Sequence, residues 1–367
     1  VNFDGLCVPA LQGLRAYDPG HDLVAWRRRV GPSLVELGSN ENPWGPSPAA
    51  RAAVLDQLHA MHRYPDPLGG DLKRALAAKH GVGLEQLILG NGSHELLMQL
   101  AQVFAGAGDE VVASQFGFAV YAIATQAAGA ALRVAPALPR DHATMPRGHD
   151  LDAIADAVGP RTKLVFLANP NNPTGTHLGI AALSRFLERI PPNVLVVVDE
   201  AYAEFVESGE SALSLLASHP GLIVTRTFSK AYALAGLRIG FAVAHPALIA
   251  VMERVRESFN VNHMGLAAAE AALGDGEHLQ WGLARNAEER TRLADALATR
   301  GWFVHPSQTN FLLVEFGARA GAIEAGLLER GVIPRPMGGY GLPECLRITI
   351  GDRDENRRFL DALDHLA

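Results

Sequence analysis

Thr225-Arg226-Thr227-Phe228-Ser229-Lys230-Ala231-Tyr232-Ala233-Leu234-Ala235-Gly236-Leu237-Arg238-Ile239-Gly240 sets one lysine in a largely apolar run, with hydroxyls before it and an arginine eight residues after. Flanked by Tyr232, Leu234 and Leu237, Lys230 is expected to be partly desolvated, which disfavours the ammonium and favours a nucleophilic amine. Thr227, Ser229 and Arg238 are donors suited to a phosphate beside that amine. An amine that captures an aldehyde next to a phosphate cup is what pyridoxal 5'-phosphate requires. Alone, the stretch also suits a surface lysine on a short amphipathic helix, so its neighbours have to arbitrate.

Two other segments do so. Asn193-Val194-Leu195-Val196-Val197-Val198-Asp199-Glu200-Ala201-Tyr202 is a continuous apolar run ending in acid and phenol, as expected of a buried parallel strand that meets a site. Lys163 to Ala168 runs into Asn169-Pro170-Asn171-Asn172-Pro173-Thr174-Gly175, a second strand ending in a rigid polar turn. Ligands of open α/β sheets collect beyond the carboxyl ends of the strands. Strand patterns at 86–90, 110–114, 163–168, 194–199, 222–226 and 238–244 alternate with helical ones at 94–105, 118–129, 179–189 and 246–257. That alternation predicts an α/β fold with a mostly parallel central sheet covered on both faces. After about residue 265 the pattern changes to long helices and strands near 302–305, 310–315 and 346–350, read as a smaller α+β unit.

Composition narrows the class. With 367 residues, 48% hydrophobic and 19% charged, the chain can bury a sizeable core and divides into about two domains. A net charge of -7 and the lack of a basic run argue against nucleic acid. An acidic chain that binds anions must gather its cations locally, so Arg226, Arg238, Arg335 and Arg347 are the ones to follow. Cys7 and Cys345 make no disulfide framework and suit a reducing compartment. Neither a secretory signal nor a membrane-spanning run is visible, so a cytoplasmic location is expected. His59 and His62 lack the partners of a metal set, so no metal is expected.

Leu89-Gly90-Asn91-Gly92-Ser93-His94-Glu95 reads as strand end, glycine turn and helix start, where exposed amides can hold an anion. A dinucleotide-binding loop is excluded because Glu95 stands where its third glycine belongs. A plain helix cap by Ser93 is the alternative.

Taken together these motifs resemble the fold-type I pyridoxal-phosphate aminotransferases, with the greatest likeness to the histidinol-phosphate aminotransferases and their aromatic-aminotransferase relatives. The likeness runs from Leu14-Arg15-Ala16-Tyr17 to Cys345-Leu346-Arg347-Ile348-Thr349-Ile350-Gly351. It implies a discontinuous smaller unit: residues 1–44 pack with 266–367, and 45–265 bind the cofactor. It further implies Lys230 as the covalent anchor and Asp199 as partner of the pyridinium nitrogen. Asn172 and Tyr202 fall to the ring oxygen, and Phe118 to the ring face. The phosphate falls to Gly92, Ser93, His94, Thr227, Ser229 and Arg238. His94 departs from the family's usual Asp or Asn, which leaves its side chain without an assigned role. Tyr64, in Arg63-Tyr64-Pro65, matches a tyrosine that reaches a neighbouring subunit's cofactor, which implies a homodimer with shared sites. Asn40-Glu41-Asn42-Pro43 resembles a site-lining motif. Arg347 resembles the arginine that grips a carboxylate, with Arg335 and Tyr17 as phosphate ligands. The implied reaction is amino transfer between histidinol phosphate and 2-oxoglutarate, in histidine biosynthesis. An aromatic amino-acid aminotransferase comes second and threonine-phosphate decarboxylase third. A cofactor-sensing regulatory module is the alternative of another class, but no helix-turn-helix segment is spare.

Overall fold

After a short strand β1 (Val35–Glu36), seven strands form the main sheet of the computed structural model, which describes residues 3–17 and 20–366. These are β2 (Leu87–Gly90), β3 (Glu110–Ser114), β4 (Ala131–Ala135), β5 (Thr162–Ala168), β6 (Leu195–Asp199), β7 (Leu222–Thr227) and β8 (Gly240–Ala244). Their order is β2-β8-β7-β6-β5-β3-β4. Neighbours from β4 to β7 run parallel, while β8 is antiparallel to both β2 and β7.

Both faces of this sheet are buried, and strand residues alternate between them. Leu164, Phe166, Val197 and Ile223 pack with Leu97, Leu100 and Val120 on one side. Val165, Leu167, Val196, Val198 and Val224 pack with Ile154, Leu183 and Phe186 on the other. A side chain's face is therefore fixed by whether its position is odd or even along the strand. The apolar runs of β5, β6 and β7 follow from double burial. β4 lacks such a run: at the sheet edge only Ala135 of its five residues is buried. The helical pattern at 246–257 ends sooner than expected, as Pro246–Met252.

The C-terminal region contributes β9 (Phe303–Val304), β10 (Phe311–Glu315), β11 (Val332–Ile333), β12 (Arg335–Pro336) and β13 (Cys345–Thr349). An antiparallel sheet of order β12-β13-β10-β9 results, and β11 pairs in parallel with β1. Val35 and Leu37 join a core with Leu293, Leu312, Ile348 and Phe359, so the N-terminal segment packs against C-terminal elements. Among the described residues no helix is long and apolar enough to cross a membrane.

Candidate active site

The carboxyl ends of β5, β6 and β7 open into a cavity of about 440 Å³. At the end of β6, Asp199 shares a face with Val197. Its Oδ2 accepts a hydrogen bond from the Tyr121 hydroxyl at 3.0 Å, and its Oδ1 accepts one from Thr225 Oγ1 at 3.1 Å. Burial pushes this carboxyl up to about 6, although both hydroxyls favour the anion. A cation seated on the cavity side would restore the carboxylate, as a protonated ring nitrogen does.

Lys230 follows β7 on a loop held by Phe228 N–H donating to Ile239 O at 3.0 Å. Its Nζ points at the carbonyls of Ser39 and Asn40, 3.3 and 3.2 Å away, and lies over the Tyr202 ring. Burial, with Arg347 and Arg238 nearby, lowers the amine from 10.5 to about 7, while Glu41 acts in the opposite direction. At neutral pH much of it is the free base that nucleophilic capture requires.

Donors converge beside it. Thr227 Oγ1 donates to Ser229 Oγ at 3.0 Å, and Arg238 reaches the same Ser229 oxygen at 3.4 Å. The helix Ser93–Phe104 starts here with Gly92 at its N-cap, so Ser93 lies inside the first turn and does not cap it. Gly92 has φ +85°, and a Cβ there would stand 2.6 Å from the Arg238 guanidinium. A Cβ on Gly240 would meet Ser93 N at 2.4 Å. Only glycines leave these amides and Arg238 facing one small space, which suits an anion. Burial and Arg238 both lower the His94 imidazole, so it is neutral there.

On the other side of the cavity Asn172, in the turn after β5, accepts from Arg347 Nη1 at 2.7 Å, and Arg347 Nη2 donates to Gly38 O at 2.7 Å. Asn40 Nδ2 donates to the Tyr202 hydroxyl at 2.8 Å. Tyr17, Phe118 and Arg335 also line the cavity, Tyr17 edge-on to His94 with ring centroids 6.5 Å apart. Tyr64 is 78% exposed and stacks on Phe259 at 4.5 Å, away from its own chain's cavity.

Arg226 needs correction as an anion ligand. Thr225 bonds to Asp199 and Thr227 lines the cavity, so Arg226 between them faces the reverse side of the sheet. There its Nε and Nη2 donate to Glu200 Oε2 at 3.0 and 2.7 Å, and its Nη1 meets Glu204 at 3.4 Å. Sequence reading missed Tyr121, Thr225, Asn310 and Thr349. Only the parity of Thr225 with Asp199 across paired strands could have signalled one of them. Among the described residues no group of His, Cys, Asp and Glu could hold a metal ion.

The residues fit pyridoxal phosphate. A half-buried amine, a buried acid that lacks a cation, and an anion cradle surround one cavity of suitable size.

Comparison with known proteins agrees. The family "Aminotransferase class I and II" matches residues 32–363. Histidinol-phosphate aminotransferase 2 of Methylococcus capsulatus is 46% identical over 365 residues, covering 98% of each chain. The enzyme of the same name from Pseudomonas aeruginosa is 45% identical over 367 residues, covering 99% of this chain and 98% of its own. The crystal structure of histidinol-phosphate aminotransferase from Sinorhizobium meliloti in complex with pyridoxal-5'-phosphate superposes with a TM-score of 0.89 at 31% identity, covering 98% of this chain and 97% of that one.

Proposed function

The chain belongs to the class I and II aminotransferases, pyridoxal-phosphate enzymes, and within them to the histidinol-phosphate aminotransferases, and from that premise we propose that it moves an amino group between L-histidinol phosphate and 2-oxoglutarate. One observation carries the choice of a phosphorylated substrate. Arg335 and Arg347 stand directly opposite each other in the β12–β13 ladder, both nearly buried at 8% and 7% exposure. Like charges in that relation repel. Arg347 Nε, moreover, is buried without a partner among the described residues. A phosphate of charge about -2 between the two guanidiniums offsets the repulsion and uses their paired donors, more fully than one carboxylate does.

Bound pyridoxal phosphate supplies the electron sink that makes the Cα–H of an amino substrate acidic. Lys230 would hold it covalently and, once released, would take the proton from substrate Cα as base and return it as acid. Asp199, kept in place by Tyr121 and Thr225, holds the proton on the ring nitrogen. Asn172 and Tyr202 orient the ring oxygen, and Phe118 covers the ring face. Gly92, Ser93, His94 and the Thr227–Ser229–Arg238 group bind the cofactor phosphate through backbone amides, hydroxyls and guanidinium. Arg347 grips the carboxylate of glutamate in the other half-reaction, while Arg335, Tyr17 and Asn40 shape the substrate end.

The same reading makes residues 45–265 the cofactor-binding unit, with 1–44 and 266–367 closing its substrate end. It also includes a cytoplasmic homodimer in which Tyr64 completes the partner's phosphate site. The exposure of Tyr64, Met61 and Leu68 supports a covered surface there. Mixing Lys230→Ala with Tyr64→Ala subunits should then restore activity in hybrids, and none would return if Tyr64 acts within its own chain.

Side-by-side kcat/KM values test the substrate. Histidinol phosphate should exceed phenylalanine by orders of magnitude, and the reverse order would make the chain an aromatic aminotransferase.

A further inference from the structure

Successive carbonyls of residues 38–40 turn inward toward Arg347 and Lys230. Gly38 O accepts from Arg347, while Ser39 O and Asn40 O accept from Lys230 Nζ. Such a row has to be held, because Asn40 sits at φ +54°, a left-handed conformation that a non-glycine residue adopts at a cost. Two side chains hold it. Asn310 Nδ2 donates to Asn40 O at 3.0 Å and to Glu41 O at 3.4 Å. Thr349 Oγ1 accepts from Asn40 N at 2.9 Å and approaches Asn40 Oδ1 at 3.3 Å.

Resting on the reading of Lys230 as the cofactor-bearing amine, we infer that Asn310 and Thr349 are positioning residues that fix Asn40 so that the Ser39 and Asn40 carbonyls form a berth for that amine whenever it is not bonded to the cofactor. Three features support the assignment. The Asn310 amide is 2% exposed, and its Oδ1 has no partner among the described residues, so its donor side is what the fold uses. A carbonyl oxygen has two lone pairs, so Asn40 O accepts from Asn310 and Lys230 together. Asn310 and Thr349 also lie at one end of the β10–β13 pair, whose register sets Phe311 opposite Thr349. The C-terminal sheet thereby places the acceptors, and the main-sheet loop brings the amine.

The berth has a chemical consequence. Burial, Arg347 and Arg238 favour the neutral amine, and Glu41 favours the ammonium. The Tyr202 ring lies 5.9 Å away. Carbonyls that accept from the ammonium stabilise it further, so loosening them should free the amine of its proton at lower pH.

The test uses the full chain cleared of cofactor, with pyridoxal phosphate as the probe. Covalent capture by Lys230, which releases one water, is followed by visible absorbance from pH 5 to 9. The parent rate should rise with a midpoint near 7. Asn310→Leu and Thr349→Val should each lower that midpoint by about one pH unit, the effect of losing hydrogen bonds to a charged group. Because both act through Asn40, the double variant should move it no further than the stronger single one. Should Asn310→Leu not fold, Asn310→Ser and Thr349→Val carry the same comparison. Folded variants with unchanged or raised midpoints, or additive effects, overturn the berth. Capture that persists in Lys230→Ala would instead strike the assignment of Lys230 itself.

Discussion

Replacing Lys230 by methionine should make the cofactor-free protein more stable, by an amount that depends on pH. In the unfolded chain the amine keeps its proton up to about 10.5, whereas in the folded chain it does so only up to about 7. Above 10.5 both states are neutral and the lysine costs nothing. As pH falls from 10.5 toward 7, the unfolded chain takes up a proton that the folded chain refuses, so stability drops by up to about 1.4 kcal/mol per pH unit. Below 7 the folded amine is protonated too, and the full penalty of roughly 5 kcal/mol applies unchanged. Lys230 is only partly buried and has two carbonyl acceptors, which lessens it, so a gain of about 3–5 kcal/mol is expected for Lys230→Met at pH 7. Methionine matches the lysine stem in length and brings no charge. Urea unfolding of both proteins at one concentration, at pH 7, 8 and 9, should show the gain shrinking stepwise as pH rises. A gain that is flat over this range, or a less stable variant, would mean that the folded amine is hydrated and not poised as argued.

Asp199→Asn should keep the fold and most cofactor affinity while losing on the order of several kcal/mol of transition-state stabilisation, since an amide cannot hold the ring nitrogen protonated. A near-normal kcat would show that another group does so. Arg335→Ala should lower kcat/KM for histidinol phosphate by roughly 2–5 kcal/mol while leaving the glutamate half-reaction far less affected, as single-turnover rates would reveal. Equal losses would remove Arg335 from the phosphate site. Arg226→Met should cost about 3–5 kcal/mol in urea unfolding because it strands Glu200 as a buried, unpaired acid. Adding Glu200→Gln to it should then cost much less than the sum of the two single changes.

What could be read from the sequence depended on burial. β6 announced itself because Val196, Val197 and Val198 are covered on both faces, leaving no polar residue to break the run before Asp199. β4 did not, since an edge strand carrying Arg133 and an exposed Val134 looks like any loop. The Gly92 turn was legible because glycine is required where a Cβ would meet the Arg238 guanidinium. Tyr121 was not, because a tyrosine on a helix face packs in the same way whether or not its hydroxyl finds an acid. Asn310 and Thr349 were beyond reach for another reason: they act on Asn40 across 270 and 309 positions of chain. Backbone carbonyls, which make up the berth, carry no signature in a side-chain pattern at all.

Arg226 and Arg238 show how an acidic chain concentrates positive charge where it is needed. Both lie in the lysine segment, and nothing in their local composition separates them. Strand parity sends Arg226 to the reverse face, where Glu200 and Glu204 neutralise it. Arg238, past the turn and at φ +58°, is instead aimed at the amides of the helix Ser93–Phe104. Across the cavity, Arg335 and Arg347 are opposed by ladder register rather than separated by it. The lining thus holds Arg238 at one end and Arg335 with Arg347 at the other, with the Lys230 amine between them. A single compact anion could relieve the repulsion at only one end. On the proposed reading a cofactor phosphate would sit at Arg238 and the substrate phosphate at Arg335 and Arg347, and Asp199 would face the ring nitrogen. On that reading the charge pattern suits a pair of phosphorylated molecules whose reacting atoms meet beside Lys230, because a phosphate offers the two opposed guanidiniums more negative charge and more acceptors than an uncharged side chain does.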